Sequence, residues 1–187
     1  TNKDIVSLVN YLQYDSNDNF FKTGLKSNWN FLLKNTNISY NKTNYKSVNN
    51  LLSSFHYNLN LPLINKGELL DSVIDPKISV RFSPNKTKNV KNEERRMDYN
   101  NIFNLDRLSM EDALEGGESL TMGIDYKLVN NKENSELMKF GLAQVFRNKE
   151  DQDLPSTSTL GSTSSDVFGN ITINSNDIIK MDYIFNV

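Results

Sequence analysis

Between Gly117 and Asn131 the chain reads "ESLTMGIDYKLVN", and Leu120, Met122, Ile124, Tyr126 and Leu128 fall on every second residue, with Thr121, Gly123, Asp125 and Lys127 in the gaps. A period of two is that of an extended strand with one apolar and one polar face. The pattern recurs about eight times along the sequence. It is noisy from Asp4 to Tyr14. It is clean where Leu25, Trp29, Phe31 and Leu33 oppose Lys26, Asn28, Asn30 and Lys34, and where Leu51, Phe55, Tyr57, Leu59 and Leu61 oppose Asn50, Ser54, His56, Asn58 and Asn60. Ile74, Ile78, Val80 and Phe82 alternate with Lys77, Ser79, Arg81 and Ser83. Met138, Phe140, Leu142 and Phe146 alternate with Lys139, Gly141, Ala143 and Arg147, with Gln144 as an intruder on the apolar side. A weak run covers Asp166 to Asn174, and Ile179, Met181, Tyr183, Phe185 and Val187 close the chain against Lys180, Asp182 and Asn186. No stretch sustains a helical period; the best helix candidate is the short acidic patch Met110 to Leu114. The expected fold is all-β, an antiparallel meander of hairpins.

Strand length narrows the choice further. Each run extends over about ten residues, whereas strands of soluble proteins most often have about five or six and a tilted membrane-crossing strand needs roughly nine to eleven. The connections alternate: 15–24, 64–72, 130–135 and 175–177 are short, and 35–47, 84–119 and 148–165 are long. Outer-membrane barrels alternate short turns and long loops in this way. Tyr14, Trp29, Tyr57, Tyr126, Phe146 and Phe185 lie on or near apolar faces, as in an interfacial girdle and equally in an ordinary β core. On pattern alone, two architectures stay open: a piece of a transmembrane barrel with its apolar face on lipid, or a soluble β-sandwich.

Composition excludes other classes. With 187 residues, a net charge of −2 and 37% hydrophobic residues, the chain is neither a polyanion binder nor a disordered tail, and no nucleic-acid partner is expected. A mean hydropathy of −0.57, with no apolar run near 20 residues, is not that of a helical membrane protein, a test that a β-barrel escapes. There is no cysteine, so disulfides and thiolate metal sites are excluded, and His56 is the single histidine. It is expected as a solvated or hydrogen-bonded face residue. No serine, Ser109 and Ser119 included, has a histidine beside it in sequence; no glycine-rich loop opens a helix, and no paired carboxylates sit in a catalytic frame. No enzyme and no cofactor are expected. The chain begins at Thr1 and stops at Val187 within an alternating run, so it reads as part of a longer protein.

Four segments carry a resemblance. "DPKISVRFSPN" (Asp75–Asn85) is followed by "NEERRMDYNNIFNLDRLSMEDALEGGESLTMGIDY" (Asn92–Tyr126), then "FGLAQVFR" (Phe140–Arg147) and "SSDVFGNITINSNDIIKMDYIF" (Ser164–Phe185). The order and spacing of a Pro-led strand ending in Ser-Pro-Asn, an Asn-Ile-Phe stretch before Asp-Arg, Glu-Gly-Gly before a strand, Gly-x-x-Gln-x-x-Arg, and Ser-Asp-x-x-Gly before a strand resemble the C-terminal barrel region of the lipopolysaccharide-assembly outer-membrane LptD (organic-solvent-tolerance) family, in its alphaproteobacterial form. The resemblance covers roughly the last 110 residues. The sequence departs from the family pattern at Asn92–Arg95 and at Met122-Gly123. The resemblance implies part of a large single-chain barrel in the outer membrane of a Gram-negative bacterium, a non-enzymatic translocon that places lipopolysaccharide in the outer leaflet. It implies lipopolysaccharide, outer-membrane lipid, a plug lipoprotein and periplasmic bridge proteins as partners. Residues 1–187 then form barrel wall, with 84–119 as one long infolded or extracellular loop. A porin-like channel and a soluble β-sandwich binding module are the alternatives.

Within this frame several residues stand out. Glu115-Gly116-Gly117 reads as a structural turn into the following strand, Gly116 and Gly117 tolerating bends closed to other residues. Arg107 lies among the acidic residues Glu111, Asp112 and Glu115, a constellation suited to a loop-pinning ion-pair network in a stretch without an evident hydrophobic anchor. Lys77, Arg81, Lys127 and Arg147 share the polar face with Lys26, Lys34, Lys139 and Lys180, and are candidate lumen cations toward a phosphorylated glycolipid.

Overall fold

The computed structural model describes residues 5–40, 47–133, 135–175 and 179–187. They form one antiparallel sheet of ten strands: β1 (Ile5–Asp15), β2 (Asn19–Phe20), β3 (Lys26–Tyr40), β4 (Val48–Asn60), β5 (Leu63–Asn65), β6 (Leu70–Ser83), β7 (Gly117–Asn130), β8 (Ser135–Arg147), β9 (Phe168–Ser175) and β10 (Ile179–Asn186). Eight follow one another as β1-β3-β4-β6-β7-β8-β9-β10, and the two short strands β2 and β5 are added to β3 and β6 within connections. The meander is the one the alternation implies. It is an open sheet among the described residues: β1 and β10 each have a neighbour on one side only.

The strands are longer than their sequence patterns. β3 has 15 residues, β6 and β7 have 14 each, and β4 and β8 have 13 each. Long partners satisfy each other's backbone groups beyond the point where the apolar rhythm fades. Two expectations about connections are corrected by this. The connection expected at 35–47 shrinks to 41–47, because Asn35–Tyr40 continue β3 alongside β1 and β4. The long loop ends at 116, not 119, because Gly117 to Ser119 already pair with Ser83 to Arg81 and lengthen β7. Two long connections therefore leave the same end of the sheet, 84–116 and 148–167, while the third at that end, 41–47, is shorter than 16–25 and 61–69 at the opposite end. The turn expected over 175–177 lies mostly outside the described residues.

The register keeps one set of side chains on each face. Phe55 faces Phe82, His56 faces Arg81, Arg81 faces Ser119, and Asp125 stands opposite both Asp75 and Gly141. The burial of the two faces is the reverse of that in a soluble sheet. Val80, Phe82, Met122, Ile124, Met181 and Tyr183 are exposed, whereas Lys34, Thr36, Ser54, His56, Ser79, Arg81, Thr121 and Asp125 are buried. Loops 84–116 and 148–167 lie across the polar face and cover it. Their own apolar residues, Val90, Met97, Tyr99, Ile102, Leu108, Ala113, Leu154 and Leu160, form the buried hydrophobic cluster found among the described residues, closed by Ala143, Val145 and Phe168 from the sheet. This corrects the expectation of a loop without a hydrophobic anchor. The anchor has no periodicity, so no sequence period announces it.

No α-helix occurs among the described residues. The candidate at Met110–Leu114 is a turn leading into an irregular stretch, held open because its carbonyls face the sheet, as described below. One 3-10 turn, Thr159–Gly161, is capped by Ser158, whose side chain accepts from Leu160 N. The two loops are tied together by Val90 N to Asp153 O (2.8 Å), Ser156 N to Lys91 O (3.0 Å) and the hydroxyl of Thr87 donating to Asp151.

Candidate functional site

The polar face of β3, β4, β6, β7 and β8 and the loop docked on it form the most elaborate site of the molecule. Its centre is Glu115, at the last turn before β7. Arg107 donates to it through both nitrogens of its fork, Nε to Oε2 at 2.8 Å and Nη2 to Oε1 at 2.5 Å, and reaches Ser119 Oγ at 2.7 Å and Thr121 Oγ1 at 3.3 Å with its other donors. Arg147 Nη1 from the end of β8 also donates to Oε1, and its Nη2 donates to Gly116 O at 2.7 Å. Arg81 from β6 donates to Glu115 O at 2.6 Å, and its Nη1 is 3.8 Å from the carboxylate. Two strands and the loop thus converge on one carboxylate whose side chain is 0% exposed. Burial pushes the Glu115 carboxyl up, but the charges of Arg107, Arg81 and Arg147 and the Arg107 hydrogen bond outweigh it and hold the group at about 2.

The backbone at this point is specific. Gly117 has φ +76°, and a Cβ on Gly116 would overlap the Asn85 carbonyl oxygen and lie 2.9 Å from Thr87 N. The turn needs both glycines, one for its conformation and one for the approach of the loop segment 84–87. Gly116 N donates to Thr87 Oγ1 at 2.9 Å, fastening the loop's two ends to each other.

A second anchor lies on β3. Lys34 is 0% exposed, and its three protons go to Asp106 Oδ2 (2.6 Å), Met110 O (2.7 Å) and Ala113 O (3.2 Å). An ammonium has three donors, so this one is fully used. Thr36 Oγ1 donates to Glu111 O at 2.8 Å. These bonds consume carbonyls that a helix over 110–114 would have used internally. Asp106 also caps the turn, accepting from Ser109 N at 3.0 Å, where Ser109 sits at φ 49°.

The third anchor is aromatic. Tyr99 and Phe103 meet edge to face, with centroids 6.3 Å apart, and press on the sheet where β7 and β8 carry Gly123 and Gly141. A Cβ on Gly123 would stand 2.7 Å from Phe103 Cζ, and one on Gly141 would fall inside the Tyr99 ring. Tyr99 OH donates to Asp125, which also receives Lys77. Burial, then that hydrogen bond and the Asp125 charge, push the Tyr99 phenol up. Asp75 and Asp125 stand opposite each other in register; Lys77 answers Asp125, and Asn60 Nδ2 donates to Asp75 Oδ1 at 3.1 Å.

Of the residues marked in the sequence, Arg107, Glu115, Gly116, Gly117, Arg81 and Arg147 come together. Glu111 and Asp112 do not join them. Glu111 is exposed and offers only its carbonyl, and Asp112 pairs with Lys88 on the outer side of the loop. Arg81 and Arg147 lie beneath the loop, not in an open channel, while Lys127 is half-exposed, 3.7 Å from Glu136. His56 is 3% exposed, and its Nε2 has no hydrogen-bond partner among the described residues, which corrects the expectation of a solvated or bonded face histidine. The loop roofs it over, an effect no local pattern reports. Lys34, read in the sequence only as one of the polar-face cations, is a loop anchor, and Tyr99, Gly123 and Gly141 went unmarked. The two inward glycines in strands built of bulky residues were the available signal for close approach.

What the arrangement does chemically is hold. The charges are spent on each other and on backbone carbonyls, and among the described residues no group of three or more carboxylates or imidazoles is placed to bind a metal. A family model, LPS transport system D, matches residues 8–186, nearly the whole chain. The chain belongs to the LptD family. The family serves lipopolysaccharide transport and assembly at the outer membrane of Gram-negative bacteria and is not a family of enzymes. No individual curated protein matches the chain.

Proposed function

We propose that residues 1–187 are a stretch of transmembrane barrel wall in a non-enzymatic lipopolysaccharide translocon, with loop 84–116 folded into the lumen as a fixed partition. The observation that carries this reading is the assignment of the two faces. Every long strand leaves its apolar side uncovered, and the buried side carries Lys34, Arg81, Asp125 and Arg147. Tyr14, Trp29 and Phe55 stack in a row on the bare side, with centroids 4.9 Å and 5.9 Å apart, a fragment of an interfacial girdle. β1 and β10 continue, in this reading, into further strands of the same barrel. The loop's role is to exclude solutes from that sector of the lumen, pinned by the Arg107–Glu115 cluster. Lys77 and Lys127, nearer the other end of the sheet and partly exposed, present positive charge to the phosphorylated head group. A plug lipoprotein and periplasmic bridge proteins are partners of the whole assembly.

The test is nitroxide scanning of the full-length protein in bilayers. Labels at Val80, Met122 and Ile124 are expected to collide with oxygen dissolved in lipid and to be shielded from a water-soluble nickel relaxant. Protection of all three from both reagents would reveal a second layer on the apolar face and end the barrel reading. Photo-crosslinkers at Lys77 and Lys127 in exporting cells distinguish a lipopolysaccharide path from a general channel: adducts with lipopolysaccharide support the first, and their absence together with small-solute conductance supports the second.

A further inference from the structure

Beside the docked loop, β8, β9 and β10 leave part of the polar face open. A cleft of about 410 Å³ lies there, a volume in the range of small-molecule sites, and all three strands line it. Lys139, Thr172 and Asp182 stand level across the strands. On the same face Asn170 lies two residues toward the long loops and Asn174 two residues away from them, so the floor measures roughly 14 Å by 10 Å. A floor of that size suits a sugar ring better than a single ion. Asn100, the residue after the docked Tyr99, adds the edge of loop 84–116 to the lining.

Some of the lining is already engaged. Asp182 accepts from Thr172 Oγ1 at 2.7 Å and pairs with Lys180 at 3.1 Å, and Glu136 is 3.7 Å from Lys127. Lys139 is left without an ion pair or hydrogen bond among the described residues. Lys127 stands directly opposite it, and the carboxylate diagonal to it, Asp125, already receives Lys77 and Tyr99. The amides are short of donors. Asn174 Nδ2 donates to Glu136 O at 2.8 Å, which leaves its carbonyl end as an acceptor. Asn170 is 7% exposed, and its Oδ1 has no donor. A buried acceptor left empty is costly, and the last torsion of asparagine is soft, so a small turn of the amide presents it to the cleft. One ammonium and several amide oxygens therefore await a ligand. A bare anion would meet the ammonium but be repelled by the oxygens. A neutral sugar would give its hydroxyl protons to the oxygens and leave the ammonium unmatched. A ring with both hydroxyls and a negative group answers both, and Ile184 offers an apolar rest for its C–H edge. We infer that this cleft is a binding site for an acidic sugar, whose hydroxyls meet Asn100, Asn170 and Asn174 and whose anionic group meets Lys139. The inference rests on the polar face being the wall of a water-filled lumen.

The experiment is saturation-transfer NMR on the full-length protein in detergent, with glucuronate, galacturonate and glucose as probes. The two acids are expected to bind and to compete with each other, and glucose to bind about tenfold more weakly or worse. Lys139→Gln should bring the acids down to the level of glucose and leave glucose unchanged. Asn170→Leu should weaken all three probes. Heat-modifiability checks that each variant is folded; should Asn170→Leu fail that check, Asn100→Ala, at the exposed edge of the loop, makes the same test. Displacement of the acids by purified lipopolysaccharide identifies the transported glycolipid as the source of the sugar, and acids that stay bound in its presence identify a soluble sugar acid. Equal binding of acids and glucose, acid binding unchanged in Lys139→Gln, or transfer to none of the probes would each overturn the site. The probes are soluble and report on the cleft alone, whereas the nitroxide collisions at Val80, Met122 and Ile124 report on the barrel, so the two readings can fail separately.

Discussion

The two faces of this sheet are made by alternate residues of the same strands, yet they obey opposite rules. On the outer face Val80, Phe82, Met122 and Ile124 stand exposed with no assigned partner, and any one apolar residue serves as well as another. On the inner face Arg81, Ser119, Thr121, Asp125 and Arg147 each have an assigned partner, and little is interchangeable. The outer face needs a property; the inner face needs an arrangement. Substitutions should therefore be graded by chemistry on one side and by geometry on the other.

The sharpest way to break the contrast is at Glu115. Glu115→Gln leaves three buried guanidiniums around a neutral amide, and the docked loop should lose about 3–5 kcal/mol, as for the removal of one partner from a buried ion pair. Amide exchange in 84–116 should rise while β6 to β8 stay protected, and large hydrophilic antibiotics should enter cells; Glu115→Asp should fail nearly as badly despite its charge. Acid should act in the same direction. Glu115 is held at about 2 against an ordinary value of 4.5, so its contribution is complete above about pH 4.5 and is lost as pH falls from there through about 2. Loop exchange measured across that window should show the loss, and Glu115→Gln should flatten it.

On the other face, Ile124→Lys should cost about 2–4 kcal/mol of insertion stability, the price of a lysine near the bilayer midplane. Lys127→Ile, three residues on and pointing inward, should change the heat-modifiability midpoint little. Equal effects would mean the faces are not distinguished by lipid. A smaller loss, about 1–3 kcal/mol, is expected of Gly141→Val, which forces the Tyr99 ring away. A Tyr99→Ala background should remove most of that increment, because the obstacle is then gone. Lys88→Gln breaks a pair on the exposed side of the loop, with Lys88 half-exposed, and should move stability by less than about 1 kcal/mol.

Much of this was legible in advance because alternation is a local consequence of strand geometry. The order of strands, the polarity of each face, the turn at Gly116-Gly117 and the position of the long loop all follow from residues close together in sequence. Errors came where local signals compete with distant ones. Met110–Leu114 looked helical, but Lys34 and Thr36, more than 70 residues earlier, take its carbonyls. Asn35–Tyr40 looked like loop because the apolar rhythm stops, though the backbone pairing with β1 and β4 does not. Glu111, Asp112 and Glu115 were equivalent on paper, and only the docking of the loop chose Glu115.

The sequence by itself settled that the chain forms long amphipathic strands in a meander, because period-two patterning and loop length depend on neighbours a few residues away. Tertiary structure alone decided which side would be covered, which carboxylate would collect three arginines, and why Gly123 and Gly141 stand in strands otherwise built of larger residues. Those outcomes depend on groups up to 80 positions apart meeting at ångström distances, and electrostatics and packing at that range are set by the fold, not by the order of residues along any one strand.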